Sequence, residues 1–309
     1  MDFEILIDDI YIKLFNQDQL APVHNKSILS LLNDYEDKNW RLAKFQDYIW
    51  DHIALTALSE HERTKLIGKS RSILRKAAQN LRLTDNQNDI GRGSELAEIL
   101  LYGIMANHYN ALSIVPKIFY KQNNRDNVKG ADSVHIVVEN DNDFSLWFGE
   151  AKFYKDINDA RLNEIVKSVE NSLSSDKLRK ENSIITNIND LESLIEDTTL
   201  FQKIKQTLSD SNSMDNIKPK LNIPILLLHE CAITAQNQEM DDDYREKIRQ
   251  FHLSRAKSYF TKQIHLLSTK ITKYSSIKFH LILFPVPNKD EIVEKFYQDA
   301  NYFKGQNNG

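Results

Sequence analysis

The chain has 309 residues, enough for one large or two modest domains. Hydrophobic residues at 41% and charged residues at 27% exclude wholesale disorder and fibrous repeats, and the single cysteine, Cys231, excludes an internal disulfide or a cysteine-rich zinc site. The balance of 44 acidic against 40 basic residues, a net charge of −4, argues against a stand-alone, high-affinity nucleic-acid binder.

No apolar run reaches the roughly 18 residues of a membrane span. The acidic start, MDFEILIDDIYIKLF, lacks the basic n-region and cleavage site of a signal peptide. A cytoplasmic protein with no membrane contact is therefore expected. Residues 1–90 read as a helical N-terminal region behind a strand-like start at Phe3 to Ile7. NKSILSLLNDY reads as helix. So does NWRLAKFQDYIWDHIALTALS, where Leu42, Phe45, Ile49, Ile53 and Ala57 recur at helical spacing. A basic helix follows: from Arg63 to Thr84 there is no acidic residue, but there are Arg63, Lys65, Lys69, Arg71, Arg75, Lys76 and Arg82. This is either a solvated helix face or a docking surface for phosphates or an acidic partner. TDNQNDIGRG then forms a polar turn.

Residues 91–309 form the second region. SELAEILLYGIMANH is a nearly all-apolar helix. SIVPKIFYK, ADSVHIVVE and FSLWFGEAKFY read as three strands, separated by the turns NNRDNVKG and NDND. KDINDARLNEIVKSVENSL opens with capping residues and is amphipathic. After a polar helical stretch come the buried strand IPILLLHECAI, a long helix from DDDYREK, the strand IKFHLILFPV and a closing helix after Asn288. Three strands in succession predict an antiparallel meander, and the helix-linked strands that follow predict crossover additions. The fold class is α/β (α+β): a central mixed sheet with flanking helices.

The third strand carries the chemistry. Its side chains alternate, so Phe148, Glu150, Lys152 and Tyr154 share one face, with the Glu150 and Lys152 Cα atoms roughly 6.5–7 Å apart. A carboxylate and an ammonium inside LWFGEAKF must be paired, hydrogen-bonded or metal-bound. Glu36-Asp37-Lys38 has the same Glu-x-Lys spelling but lies in a polar turn and reads as chance. If the strands flanking NDND pair as a hairpin, Asp132 faces a residue near 149–151, beside Glu150. Two carboxylates at one point suit a hard cation, Mg²⁺ or Mn²⁺. The alternative is a structural Glu–Lys pair with a turn-forming Asp. Glu95, in the first turn of the apolar helix, and Glu98, one turn on, place carboxylates toward the same edge; one of them alone reads equally as a partner of the helix dipole.

The ordered set Glu95, Gly-Ala-Asp132 and Glu150-Ala-Lys152, in a helix, strand, strand, strand, helix, strand frame over about residues 91–235, resembles the PD-(D/E)XK nuclease superfamily. The proline of that motif is replaced by Ala131. More narrowly, KFQDYIWDHIALTALSEHE, GRGSELAEILLYGIM, KGADSVHIV and LWFGEAKFY resemble HamA, the nuclease subunit of Hachiman anti-phage systems. The resemblance implies a restriction-endonuclease-like sheet and metal-dependent DNA hydrolysis. It implies Asp132 and Glu150 as metal ligands with the Ala151 carbonyl as a third, Lys152 as the catalytic lysine, and Glu95 as the helix acid with Glu98 as its substitute. It also implies a superfamily-2 helicase partner of the HamB type, in a heterodimer. A catalytically silent nuclease-like binding subunit and a restriction endonuclease are the alternatives.

Lys117 and Arg92 are candidate substrate contacts, Lys117 and Tyr120 being placed on the strand beside the site. The nine histidines form no zinc-binding spacing. His135 lies on the strand face opposite Asp132. His229 and Cys231 share a face at a strand end, read as burial rather than as a nucleophilic pair. No GxxxxGK[ST] motor motif occurs.

Overall fold

The computed structural model describes residues 2–15, 24–83, 92–122, 130–139, 142–187, 190–209 and 211–305. The polar turns read at 84–91 and 123–129, the hairpin tip at 140–141 and the tail beyond 305 lie outside them. Nine strands are described: β1 (Glu4–Ile10), β2 (Lys26–Leu32), β3 (Tyr35–Glu36), β4 (Asn39–Trp40), β5 (Leu112–Val115), β6 (Ser133–Glu139), β7 (Asp143–Tyr154), β8 (Leu221–Glu230) and β9 (Lys278–Val286). Seven form one mixed sheet in the order β1-β2-β9-β8-β7-β6-β5. β3 and β4 make a separate ribbon, with Asp37 and Lys38 at its tip in the left-handed region. The stray Glu36-Asp37-Lys38 spelling is thus a turn, as its polarity suggested.

β5, β6 and β7 form the expected antiparallel meander, while β8 and β9 add in parallel. β7 is central and covered on both faces, which is why DFSLWFGEAKFY is almost continuously apolar instead of alternating. One face packs against the helices Asp159–Ser172 and Asp242–Leu267, through Ile165, Val169, Tyr259 and Phe260. The other packs against the helices Leu42–Ala57, Ser94–Tyr109 and Lys289–Lys304, through Phe45, Ile49, Ile53, Leu100, Ile104 and Phe296. Burying each such side chain contributes on the order of 1.5–3 kcal/mol. The Phe45/Ile49/Ile53 stripe is therefore core. Asn158, Asp241 and Asn288 each cap a helix by accepting backbone N–H groups. No helix among the described residues is long and apolar enough to cross a membrane.

Three expectations are corrected. NKSILSLLNDY is not a helix: Lys26–Leu32 is β2, paired with β1 and β9. Its place inside the sheet buries both faces, so its apolar run lacks the alternation that marks a half-exposed strand. The stretch read as helical thus supplies one strand, β2, to the same sheet as the site. The SIVPKIFYK strand ends at Val115, because Pro116 has no N–H for the ladder; Lys117–Gln122 is a helix and carries Lys117 and Tyr120. The basic helix is two helices, Glu60–Lys65 and Ser70–Gln79, broken near Gly68, whose φ is +76°.

Gly149 sets how closely β7, β6 and the helix Ser94–Tyr109 approach. A Cβ there would collide with Ser133 Oγ and stand 2.8 Å from Leu101 Cδ2. Gly149→Ala is expected to cost about 1–3 kcal/mol by overpacking, measured by urea denaturation. His135 is fully buried on the face away from Asp132, 4.5 Å centroid to centroid from Tyr102, and neither ring nitrogen has a partner among the described residues. Burial pushes its pKa down to about 3. The native ring stays neutral while the unfolded ring binds a proton below about 6.5. The contribution is therefore complete above that pH and is lost as pH falls toward the folded value, by about 2 kcal/mol at pH 5. His135→Leu is expected to flatten the fall in melting temperature between pH 7.5 and 5, where the buried His229 and His252 still contribute.

Candidate active site

The site grows out of the β6–β7 register. Ser133 pairs with Gly149, so the residue before β6, Asp132, stands across from Glu150 and on the same face. The Asp132 N–H donates to the Gly149 carbonyl at 2.8 Å, which continues the ladder by one step. β6 stops there, while β7 runs on to Tyr154. On the edge of β7 that β6 vacates, the Ala151 N–H is taken by Asp132 Oδ2 at 3.1 Å. Alternate residues of a strand present their backbone groups to the same edge, so the Ala151 carbonyl faces Asp132 as the Gly149 carbonyl does.

Lys152 lies between the two carboxylates. Its Nζ is 3.3 Å from Asp132 Oδ2 and 2.5 Å from Glu150 Oε1. Ser168, from the helix Asp159–Ser172, donates to the same Glu150 oxygen at 2.5 Å. The Glu150 side chain is 8% exposed, against 20% for Asp132 and 23% for Lys152, so the cluster is a half-open corner instead of a sealed core. Burial opposes each charge. For Asp132 the nearby Lys152 and Lys121 outweigh it and hold the carboxyl below its usual range. For Glu150, burial and then the Asp132 charge raise the pKa, against Lys152. For Lys152, burial is outweighed by Asp132 and Glu150, and the ammonium is held charged far above neutrality.

The helix acids divide the work differently from the expectation. The Glu95 carboxylate accepts the Arg82 N–H at 3.0 and 3.1 Å and the Leu83 N–H at 2.9 Å. It anchors backbone, a role the sequence leaves open between either acid. Glu98 is the one joined to the site: it pairs with Lys121 at 2.6 Å, and the Asp132 charge adds to the burial that pushes its pKa up to about 7. Its Oε2 is buried without a hydrogen-bond partner among the described residues.

The two residues read as substrate contacts are each paired with acidic side chains. Lys117 is fully buried against Glu181, at 2.7 and 3.0 Å. Arg92 reaches to the helix Lys289–Lys304, pairing with Glu294 at 3.1 Å and Asp290 at 3.7 Å. His229 bonds to His252 at 3.1 Å, and Cys231 packs with Tyr244 and Ile248, so they form no reactive pair. Lys121, Ser168 and Glu181 belong to the site's surroundings and were missed. Lys121 sat in a segment read as strand, and Ser168 and Glu181 lie on amphipathic helices where a polar residue carries no distinguishing signal.

Among the described residues, no three His, Cys, Asp or Glu side chains stand ready around one point. The convergent donors are two carboxylates and the Ala151 carbonyl edge. That donor set suits Mg²⁺, which keeps several waters and binds through one or two carboxylates plus substrate phosphate.

Comparison with known proteins agrees with the narrower of the two resemblances. The family model described as HamA matches residues 9–300, nearly the whole length. A search of curated proteins found no match. With its fold, its Asp132/Glu150/Lys152 corner and this match together, the chain belongs to the HamA family.

Proposed function

We propose that the chain is a metal-dependent deoxyribonuclease, the hydrolytic effector of an anti-phage complex that receives its DNA through a helicase partner. Membership of the HamA family makes it a Hachiman defence-associated protein. The observation that carries the nuclease reading is the convergence of Asp132, Glu150 and Lys152 at one half-open corner, from positions 20 residues apart at most. A chain with no use for this corner gains little from two carboxylates in an apolar strand pair.

Asp132, Glu150 and the Ala151 carbonyl would hold Mg²⁺ or Mn²⁺. The bound cation lowers the pKa of a ligated water and screens charge on the phosphate. Lys152, held protonated by its two neighbours, is an electrostatic group rather than a base: it orients the attacking water and stabilises the negative charge developing on the phosphodiester. Ser168 fixes the Glu150 rotamer. Lys121, aimed by Glu98, adds a second positive charge at the rim.

One observation favours the silent-subunit reading: Lys152 already pairs with both carboxylates without any cation. Plasmid nicking with and without Mg²⁺ and the helicase partner separates the two. Asp132→Ala, Glu150→Ala and Lys152→Ala are each expected to lower cleavage by about 100-fold or more, in line with the loss of one transition-state contact. Undiminished cleavage in all three, or cleavage that survives chelation of divalent ions, sinks the nuclease reading.

The two helix acids give a separate expectation. Glu95→Gln lowers thermal stability more than Glu98→Gln, because charge-assisted bonds to two backbone amides are weakened, by about 1.5–3 kcal/mol at most. Glu98→Gln lowers cleavage more than Glu95→Gln, because Lys121 loses its aim. Melting curves beside nicking rates check both halves.

A further inference from the structure

The buried Lys117–Glu181 pair lies outside the chemistry described so far, yet it touches the segment that delivers Asp132. Lys117, at the start of the helix Lys117–Gln122, is 0% exposed, and Glu181, on the helix Ser175–Asn187, is 3% exposed. Both Glu181 oxygens accept from the Lys117 ammonium. Glu181 Oε1 also accepts the Ala131 N–H at 2.9 Å. The next backbone N–H, of Asp132, is tied to Gly149. Two consecutive amides are therefore anchored, one to the sheet and one to the ion pair, immediately before the Asp132 side chain.

Gly130 completes the clamp. A Cβ there would collide with Glu181 Oε1 and stand 2.8 Å from Glu181 Cδ. The glycine lets the carboxylate lie against the backbone. Lys117 is itself fixed at its own N–H, which donates to Tyr102 Oη at 3.4 Å on the helix that carries Glu98. Fold stability alone is a weak reason for such a pair, since well-packed apolar side chains of the same volume generally serve as well. A carboxylate that must accept a specific amide while buried has a stronger reason: it needs a buried cation beside it.

We propose that Glu181, held by Lys117 and admitted by Gly130, is a positioning residue that sets the place of Asp132 as a cation ligand. The inference rests on the metal-dependent reading of the site. It assigns Lys117 a role, two bonds removed from the reacting atoms, that its sequence position beside the site did not reveal.

The test uses the full chain and two double variants that remove both charges together. Lys117→Met/Glu181→Gln keeps an oxygen for the Ala131 N–H; Lys117→Met/Glu181→Leu does not. Mn²⁺ affinity is read by calorimetry, melting temperature reports folding, and hydrogen exchange at the Ala131 and Asp132 amides is read in metal-free protein. The Met/Leu variant is expected to bind Mn²⁺ about 10–100-fold more weakly than wild type, as for the loss of a ligand's supporting contact, with faster exchange at both amides. The Met/Gln variant is expected to stay within about 3-fold of wild type. If Met/Leu does not fold, Gly130→Ala replaces it, since the added methyl drives Glu181 off Ala131. Equal Mn²⁺ affinity and equal exchange in wild type, the variant that keeps the acceptor and the variant that lacks it overturn the clamp and leave the metal reading intact. A wild type that takes no Mn²⁺ while the exchange contrast persists overturns the metal reading and leaves the clamp as the device that places Asp132.

Discussion

The pairing register between β6 and β7 is the constraint on which the rest depends. Ser133 opposite Gly149 puts Asp132 opposite Glu150, and alternation then brings Lys152 onto the same face. A slip of one residue would turn Glu150 and Lys152 toward the Ser94–Tyr109 helix and leave Asp132 facing an apolar neighbour. Several features hold the register. Seven consecutive pairs run from Ser133/Gly149 to Glu139/Asp143, and β8 pins the far side of β7. Gly149 admits no alternative side chain at the tightest point.

The second feature is how the corner tolerates its charges. Asp132, Glu150 and Glu98 are all partly or wholly desolvated, and each finds an ammonium group: Lys152 for the first two, Lys121 for the third. Burial raises the carboxyl pKa values and the lysines lower them, with different outcomes: Asp132 ends below its usual range, Glu150 and Glu98 above. On the proposed metal-dependent reading, a divalent cation would compete with Lys152 for the same oxygens. Each carboxylate has an ammonium beside it, so the corner holds its buried acids without any cation.

The third feature is the division of labour between the layers. The Glu98 helix packs on one face of the sheet and the Ser168 helix on the other, while Asp132 and Glu150 come from the sheet itself, where β6 ends. Glu98 and Lys121 come round the end of β6, where the sheet has one strand fewer. The strand end is thus what makes the corner: it frees the Ala151 N–H for Asp132 and leaves room for side chains from the layer behind.

The sequence by itself determined the strongly periodic or sharply bounded features: the mixed α/β class, the meander, the Leu42–Ala57 helix, and the hairpin that joins Asp132 to Glu150. Those follow from period-2 and period-3.6 patterns and from turn residues, which act over a few positions. Local pattern did not identify β2, whose two buried faces make a strand spell like a helix, nor the end of β5 at Pro116, which turned a supposed strand residue, Lys117, into part of a buried ion pair. Only the tertiary structure decided that Glu95 accepts the Arg82 and Leu83 amides, that Glu98 pairs with Lys121 and that Arg92 pairs with Glu294, because those assignments depend on contacts between separate elements of the chain. Local spacing sets which face a residue occupies; long-range packing sets what stands in front of it.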